Sequence, residues 1–282
     1  MEIIRTIDSL VSSLDAVRSQ GKSIGLVPTM GALHAGHRSL VERARKENDV
    51  VVVSVFVNPT QFNNPTDLST YPRTEEADCA MLAECGVDFA FVPSVEEIYP
   101  EPDTRVFDLG PVAEVMEGAM RPGHFNGVAQ IVSKLFGYTM PDRAYFGEKD
   151  FQQIAVIRRM VELEGFKLEI VPCPIVREND GLALSSRNVR LTPEGRAIAP
   201  EIRKALEASL SLKRDGMTPV QVAEETTRRI NAVAGLETEY FLIVDALTMQ
   251  PVETWAQAAE NGAVGCVTVY CGDVRLIDNI RY

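Results

Sequence analysis

Along the first 176 residues the hydrophobic pattern switches repeatedly between a strand-like and a helix-like period. Ile24-Gly25-Leu26-Val27 is a short apolar run, and a helical pattern follows from about Gly36 to Glu47. Val50 to Val57 is β-branched at nearly every position, which suits a strand covered on both faces, as in the middle of a parallel sheet. A helix over about Thr74 to Glu84 and a strand over Asp88 to Val92 come next. The alternation continues with a helix at Val128 to Phe136, a strand at Ala144 to Phe146, a striped helix at Phe151 to Glu164 and a strand at Leu168 to Val171. Strand and helix at βαβ spacing predict a doubly wound parallel sheet, in which ligands bind beyond the carboxyl ends of the strands. Functional residues are therefore expected just after strands.

After about Val176 the texture changes. A polar loop, Arg177 to Asn188, leads into helical patterns at Pro193 to Leu212 and Pro219 to Val233, then strands near Tyr240 to Val244, Gly265 to Tyr270 and Arg275 to Ile277. The expected fold class is α/β: a Rossmann-like doubly wound parallel sheet over residues 1–176 and a second, smaller α+β domain over 177–282. No internal repeat or low-complexity segment interrupts this plan.

Composition narrows the function classes. Hydrophobic residues form 45% of the 282 and charged residues 24%, enough to build a substantial core. The formal net charge of -12 sets up a field that repels nucleic acid and anionic membrane, so neither is an expected partner. The opening MEIIRTIDSLVSSL lacks a basic region followed by a long apolar run, and no stretch approaches the roughly 20 apolar residues that span a bilayer. A cytoplasmic location is expected. Five cysteines without a CxxC pair read as reduced core residues.

Candidate chemistry concentrates where the first of these strands ends. Pro28-Thr29-Met30-Gly31-Ala32-Leu33-His34-Ala35-Gly36-His37 holds two of the three histidines and runs into a helix start. Glycine at 36 permits close approach of a ligand, and the N–H groups and positive dipole end of the helix favour a phosphate. A histidine there is more easily held neutral, able to donate an N–H to phosphate oxygens. The Gly31-x4-Gly36 spacing is that of a P-loop, but His37 and Arg38 stand where Lys and Ser/Thr are required, so that reading fails. On local grounds alone, a metal-binding His pair at i,i+3 and a helix-capping or buried pair both remain open.

The HxGH pattern resembles the signature of the nucleotidyltransferase superfamily. Val27 to His37, Phe56-Val57-Asn58-Pro59-Thr60-Gln61-Phe62, Tyr71-Pro72-Arg73-Thr74, Arg121-Pro122-Gly123-His124-Phe125, Phe146-Gly147-Glu148-Lys149-Asp150-Phe151-Gln152-Gln153 and Gly181 to Asn188 resemble, in order, the motifs of the pantothenate synthetase family. The likeness extends to the closing Gly272 to Asn279. Residue 35, often acidic in the family, is Ala here; it lies between the two histidines and has no assigned catalytic role.

That resemblance implies a function and a site. The family adenylates pantoate with ATP and Mg²⁺, then joins the acyl adenylate to β-alanine, as a homodimer. It implies that His37, His34 and Lys149 are catalytic. Met30, Gly31, Ala32, Leu33, His34, Ala35, Gly36, His37, Gly147, Glu148, Lys149, Asp150, Val176, Leu184, Ser185, Ser186 and Arg187 would meet ATP, with Ser185 to Arg187 in a lid formed by the second domain. Gln61 and Gln153 would bind pantoate, and Gln61 would also meet β-alanine; an amide suits a ligand with hydroxyls and a carboxylate because it both donates and accepts. The residues leave the metal ligands unknown, with Asp78 a candidate to approach Mg²⁺. Rival readings are another HxGH nucleotidyltransferase that stops after nucleotide transfer, and a silent nucleotide-binding regulator.

Overall fold

A computed structural model describes residues 1–282 and divides them into two compact units. One comprises Met1–Leu109, Arg121–Glu148 and Val156–Pro174; the other comprises Gly110–Met120, Lys149–Ala155 and Ile175–Tyr282.

The first unit holds six parallel strands: β1 (Glu2–Ile4), β2 (Ile24–Thr29), β3 (Val50–Val55), β4 (Phe89–Phe91), β5 (Arg143–Gly147) and β6 (Glu169–Cys173). Their order is β1-β4-β3-β2-β5-β6. From β2 the chain works outward through β3 and β4, then returns to lay β5 on the other side of β2. The strand order thus reverses between β2 and β5, the point at which such sheets bind ligands. Every residue of β3 is buried, as its β-branched run predicts. Val51, Val53 and Val55 pack with Leu40, Val41 and Ala44 of the Ala35–Glu47 helix and with Leu82.

Two N-terminal elements go beyond the sequence reading. Three-residue β1 is too short to show a period, and it exists because it pairs with β4. The Ile7–Arg18 helix did have a pattern: Thr6 caps it and Leu10, Leu14 and Val17 form its buried stripe.

The second unit is built on an antiparallel meander of β7 (Leu236–Asp245), β8 (Ala263–Cys271) and β9 (Val274–Arg281). Ile202, Leu206, Val222 and Ile230 from the Glu201–Arg214 and Pro219–Asn231 helices share a core with Phe241, Ile243, Val267 and Val269. The helix expected over Pro193 to Leu212 is two helices, Pro193–Ile198 and Glu201–Arg214. Pro200 separates them, since its ring clashes with the preceding turn and it supplies no N–H.

A second cluster, around Val244, Val264 and Cys266, is covered by Met116 from the Gly110–Met120 segment. Arg275 on β9 holds that segment through Glu117, donating from Nη1 and Nη2 at 2.7 and 2.6 Å, and the Tyr240 hydroxyl donates to Glu117 at 2.7 Å. Burial, then the Glu117 charge, pushes the Tyr240 phenol up, so it remains a donor. These contacts explain why a segment far from β9 in sequence belongs to its unit.

Candidate active site

The turn after β2 is set by one buried carboxylate. Asp78, 2% exposed, accepts from Ala32 N–H at 2.9 Å, Leu33 N–H at 2.7 Å and the Thr74 hydroxyl at 3.1 Å. The backbone curls onto it through two left-handed residues, Gly31 at φ +77° and Ala32 at φ +49°. Gly31 fits the first of these because it has no Cβ; the cost at Ala32 is offset by the charge-assisted bond to Asp78.

That turn delivers His34 to the N-cap of the Ala35–Glu47 helix. His34 Nδ1 accepts from Gly36 N–H at 3.1 Å, and His37 Nδ1 accepts from His34 N–H at 3.3 Å. The two rings lie 4.1 Å apart, centroid to centroid. Capping and chemistry are therefore not alternatives. An Nδ1 that accepts a backbone N–H carries no proton, so each neutral ring bears its proton on Nε2. The cap thus makes each Nε2–H a hydrogen-bond donor at the N-terminus of a 13-residue helix.

Gly147 ends β5, the neighbour of β2, and Glu148 follows it. Gln61 closes a 3-10 turn, Pro59–Gln61, beyond β3; its Nε2 lies 2.9 Å from Met30 Sδ, so the structure brings these two expected residues together.

In the second unit, Lys149 and Ser185 line one cavity with Asn188, Arg203 and Asp278. Lys149 Nζ is 3.8 Å from Asp150, which is exposed. Val176 and Leu184 are brought together as a hairpin, Leu184 N–H donating to Val176 O at 3.0 Å, with Gly181 at its tip. Ser185 caps the Ser186–Arg190 turn by accepting from Arg187 N–H at 3.2 Å. Gln153 is half-buried, while its neighbour Gln152 is committed to structure: it donates to Val112 O and Val115 O at 2.9 and 2.7 Å and accepts from Glu117 N–H at 3.1 Å.

The closing motif also has a role that the sequence reading left unassigned. Asp278, its side chain 6% exposed, grips Arg177 with both oxygens at 2.7 and 2.8 Å, and Arg177 donates to Gly181 O at 3.1 Å. Asn279 Nδ2 donates to Lys149 O at 3.2 Å. β9 thereby anchors both segments that carry the expected Lys149 and Ser185 to Arg187. Arg177→Ala leaves the buried Asp278 carboxylate without its cation, with the Asn279 N–H at 2.7 Å as its remaining donor, and is expected to cost about 3 to 5 kcal/mol in denaturant unfolding. A loss below about 1 kcal/mol, the scale of an exposed pair, would remove this anchoring role.

No group of three His, Cys, Asp or Glu side chains is arranged to hold a metal ion, and both Asp78 oxygens are engaged by the turn. Mg²⁺ keeps waters and is bound largely through substrate phosphates, so the residues present fit it as a companion of a phosphate ligand rather than in a cage of their own.

Fold and site place the chain in the α/β class that binds ligands where strand order reverses, with a helix start whose N–H groups and dipole suit an anionic group. The family model described as pantoate-beta-alanine ligase matches residues 2–281. The chain belongs to the pantoate-beta-alanine ligase family. It is 62% identical to the pantothenate synthetase of Porphyromonas gingivalis W83, over 100% of this chain and 99% of that one. A crystal structure of pantothenate synthetase from Thermus thermophilus superposes with a TM-score of 0.92 at 47% identity, covering 99% of each chain. The pantoate-beta-alanine ligase of Francisella tularensis, crystallised with Beta-gamma ATP and Beta-alanine, superposes with a TM-score of 0.84 at 39% identity over 100% of this chain and 97% of that one.

Proposed function

We propose that this enzyme condenses pantoate with β-alanine, cleaving ATP to AMP and pyrophosphate through a pantoyl adenylate. The observation that carries the reading is the capped histidine pair, whose two Nε2–H donors stand at a helix N-terminus just past β2. The ligands named for the Francisella relative support it. In the first step a pantoate carboxylate oxygen attacks the α-phosphorus, and the bond to the β,γ-pyrophosphate breaks. Charge grows on the phosphate oxygens, and His34 and His37 stabilise it by donation, aided by Lys149. In the second, the amine of β-alanine attacks the acyl carbon, loses its proton and expels AMP. Bound Mg²⁺ would neutralise phosphate charge.

The remaining roles follow the family resemblance: residues 30–37, 147–150, 176 and 184–187 meet ATP, and Gln61 and Gln153 meet pantoate. The catalytic domain lies within residues 1–176, although their 110–120, 149–155 and 175–176 segments pack with the second unit, and residues 177–282 act as a lid, since an acyl adenylate needs protection from water. The enzyme works in the cytoplasm as a homodimer. No helix is long and apolar enough to cross a membrane.

Pantoate-dependent exchange of pyrophosphate into ATP tests the first step, and formation of pantothenate tests the whole. Exchange that ignores pantoate would overturn the reading in favour of another nucleotidyltransferase. Gln61→Ala and Gln153→Ala are each expected to weaken pantoate by about 1 to 3 kcal/mol, with ATP affinity barely changed. Calorimetry that finds the loss on the ATP side would reverse that assignment.

A further inference from the structure

Donor and acceptor roles around Gln61 can be settled from one atom whose role cannot vary. The Gly127 main-chain carbonyl only accepts, so the Asn58 side-chain atom 3.1 Å from it is the amide nitrogen. That nitrogen also lies 3.1 Å from the Gln61 side chain, which must meet it with Oε1. Asn58 Oδ1 is held from the other side by the hydroxyls of Tyr99 at 2.8 Å and Thr60 at 3.1 Å. Burial pushes the Tyr99 phenol up, so it keeps the proton it donates. Gln61 therefore has its acceptor occupied inside the protein, while its two-proton nitrogen faces only Met30 Sδ, a weak acceptor.

The main chain of Gln61 is held as firmly. Its carbonyl oxygen accepts from His124 Nδ1 at 2.8 Å and from Arg121 Nη2 at 3.4 Å. Arginine only donates, so His124 Nε2, 3.2 Å from Arg121 Nη1, accepts, and the ring is the neutral Nδ1–H tautomer. Both ring nitrogens are thereby used. Close packing completes the support: a Cβ on Gly127 would come 2.3 Å from Thr60 O and 2.7 Å from Gln61 N, so only glycine lets the His124–Thr139 helix approach this turn. Asn58, Gln61 and His124 are all buried.

We propose that Asn58 and His124 are positioning residues that hold Gln61 with its amide nitrogen as the group offered to a ligand, so that this subsite takes a hydrogen-bond-accepting carboxylate or hydroxyl oxygen and not a donor. The inference rests on the reading that Gln61 meets pantoate. It gives the Arg121-Pro122-Gly123-His124-Phe125 motif a function and narrows the two-way amide of the sequence reading to a donor.

Asn58→Asp tests it. A carboxylate there repels the Gly127 carbonyl and draws an N–H from Gln61, turning the Gln61 amide so that its oxygen faces the ligand. Calorimetry on the full chain, with pantoate alone and with ATP alone, should show pantoate about tenfold weaker or worse and ATP within about twofold. His124→Asn keeps an N–H donor at the δ position and should bind pantoate nearly as wild type, whereas His124→Ala should not; in turnover the loss should fall on the pantoate KM. If Gln61→Ala leaves pantoate affinity unchanged, the pantoate reading of Gln61 fails. If Gln61→Ala weakens pantoate but Asn58→Asp does not, the positioning proposal is overturned and the pantoate reading stands. Should Asn58→Asp lose ATP binding too, the His124 pair decides: equal pantoate affinity in His124→Asn and His124→Ala overturns the proposal.

Discussion

Replacing His37 by alanine should slow formation of pantoyl adenylate in a single turnover by about 10²-fold or more, the scale of losing a preorganised donor at developing charge. The two nitrogens of the ring make a sharper experiment possible. Asparagine places its oxygen near the position of Nδ1 and can still accept from His34 N–H, but it has nothing at the position of Nε2. Glutamine reaches the Nε2 position with an N–H and gives up the Nδ1 acceptor. If the donor is what matters, His37→Asn should be as stable as wild type and as slow as His37→Ala, while His37→Gln should be less stable and faster than either. Rapid-quench measurement of the adenylate, with thermal melting of each variant, reads both quantities. An asparagine variant that turns over faster than the glutamine variant would mean that the ring acts through the cap alone.

The second large effect is expected at Asp78. Asp78→Ala removes the acceptor of two backbone N–H groups and one hydroxyl. With charge-assisted bonds lost and buried donors orphaned, stability should fall by about 2 to 4 kcal/mol. Because the same turn delivers His34 to its cap, the adenylation rate should fall with it, by about tenfold or more. Asp78→Asn keeps one accepting oxygen and should lie between. Raising Mg²⁺ distinguishes this role from metal binding: a residue that holds the turn is not replaced by more metal, whereas a weakened metal site refills. Recovery of the Asp78→Ala rate at high Mg²⁺ would therefore discard the positioning role and make Asp78 a ligand.

The candidate site was legible in the sequence to an uneven degree, and the pattern has a physical cause. His34, His37 and Lys149 lie just after strands whose patterns are local, so motif and placement could be read together, whereas the Ser185 to Arg187 run lies in the polar loop beyond β6 and was legible by motif alone. Gln152 and Gln153 are adjacent and chemically identical. The resemblance singled out Gln153; only tertiary contacts show that Gln152 is spent on Val112, Val115 and Glu117. Asn58 and His124 stood inside the family motifs without a role, because the groups that fix their orientation, the Gly127 carbonyl for Asn58 and the Gln61 carbonyl for His124, lie 69 and 63 residues away. No spacing along the chain encodes such a pair.

By itself the sequence determined what depends on neighbours a few residues apart. The β-branched run of β3, the stripe of the Phe151–Glu164 helix and the turn glycines follow from the local energetics of strand burial, helix packing and left-handed backbone. Family motifs added the class of reaction to that. Only the tertiary structure decided how ambiguous groups resolve. An imidazole or a carboxamide has two hydrogen-bonding faces, and which one it offers depends on what the fold places against the other. Gly36 N–H and His34 N–H put the protons of the two histidines on Nε2, and the Gly127 carbonyl, through Asn58, turns Gln61 into a donor. Membership of Gly110–Met120 in the second unit was decided the same way, by Met116 filling a gap over β8 and by Arg275 pairing with a carboxylate 158 residues distant, since burial and ion pairing act through space and leave no period in the chain.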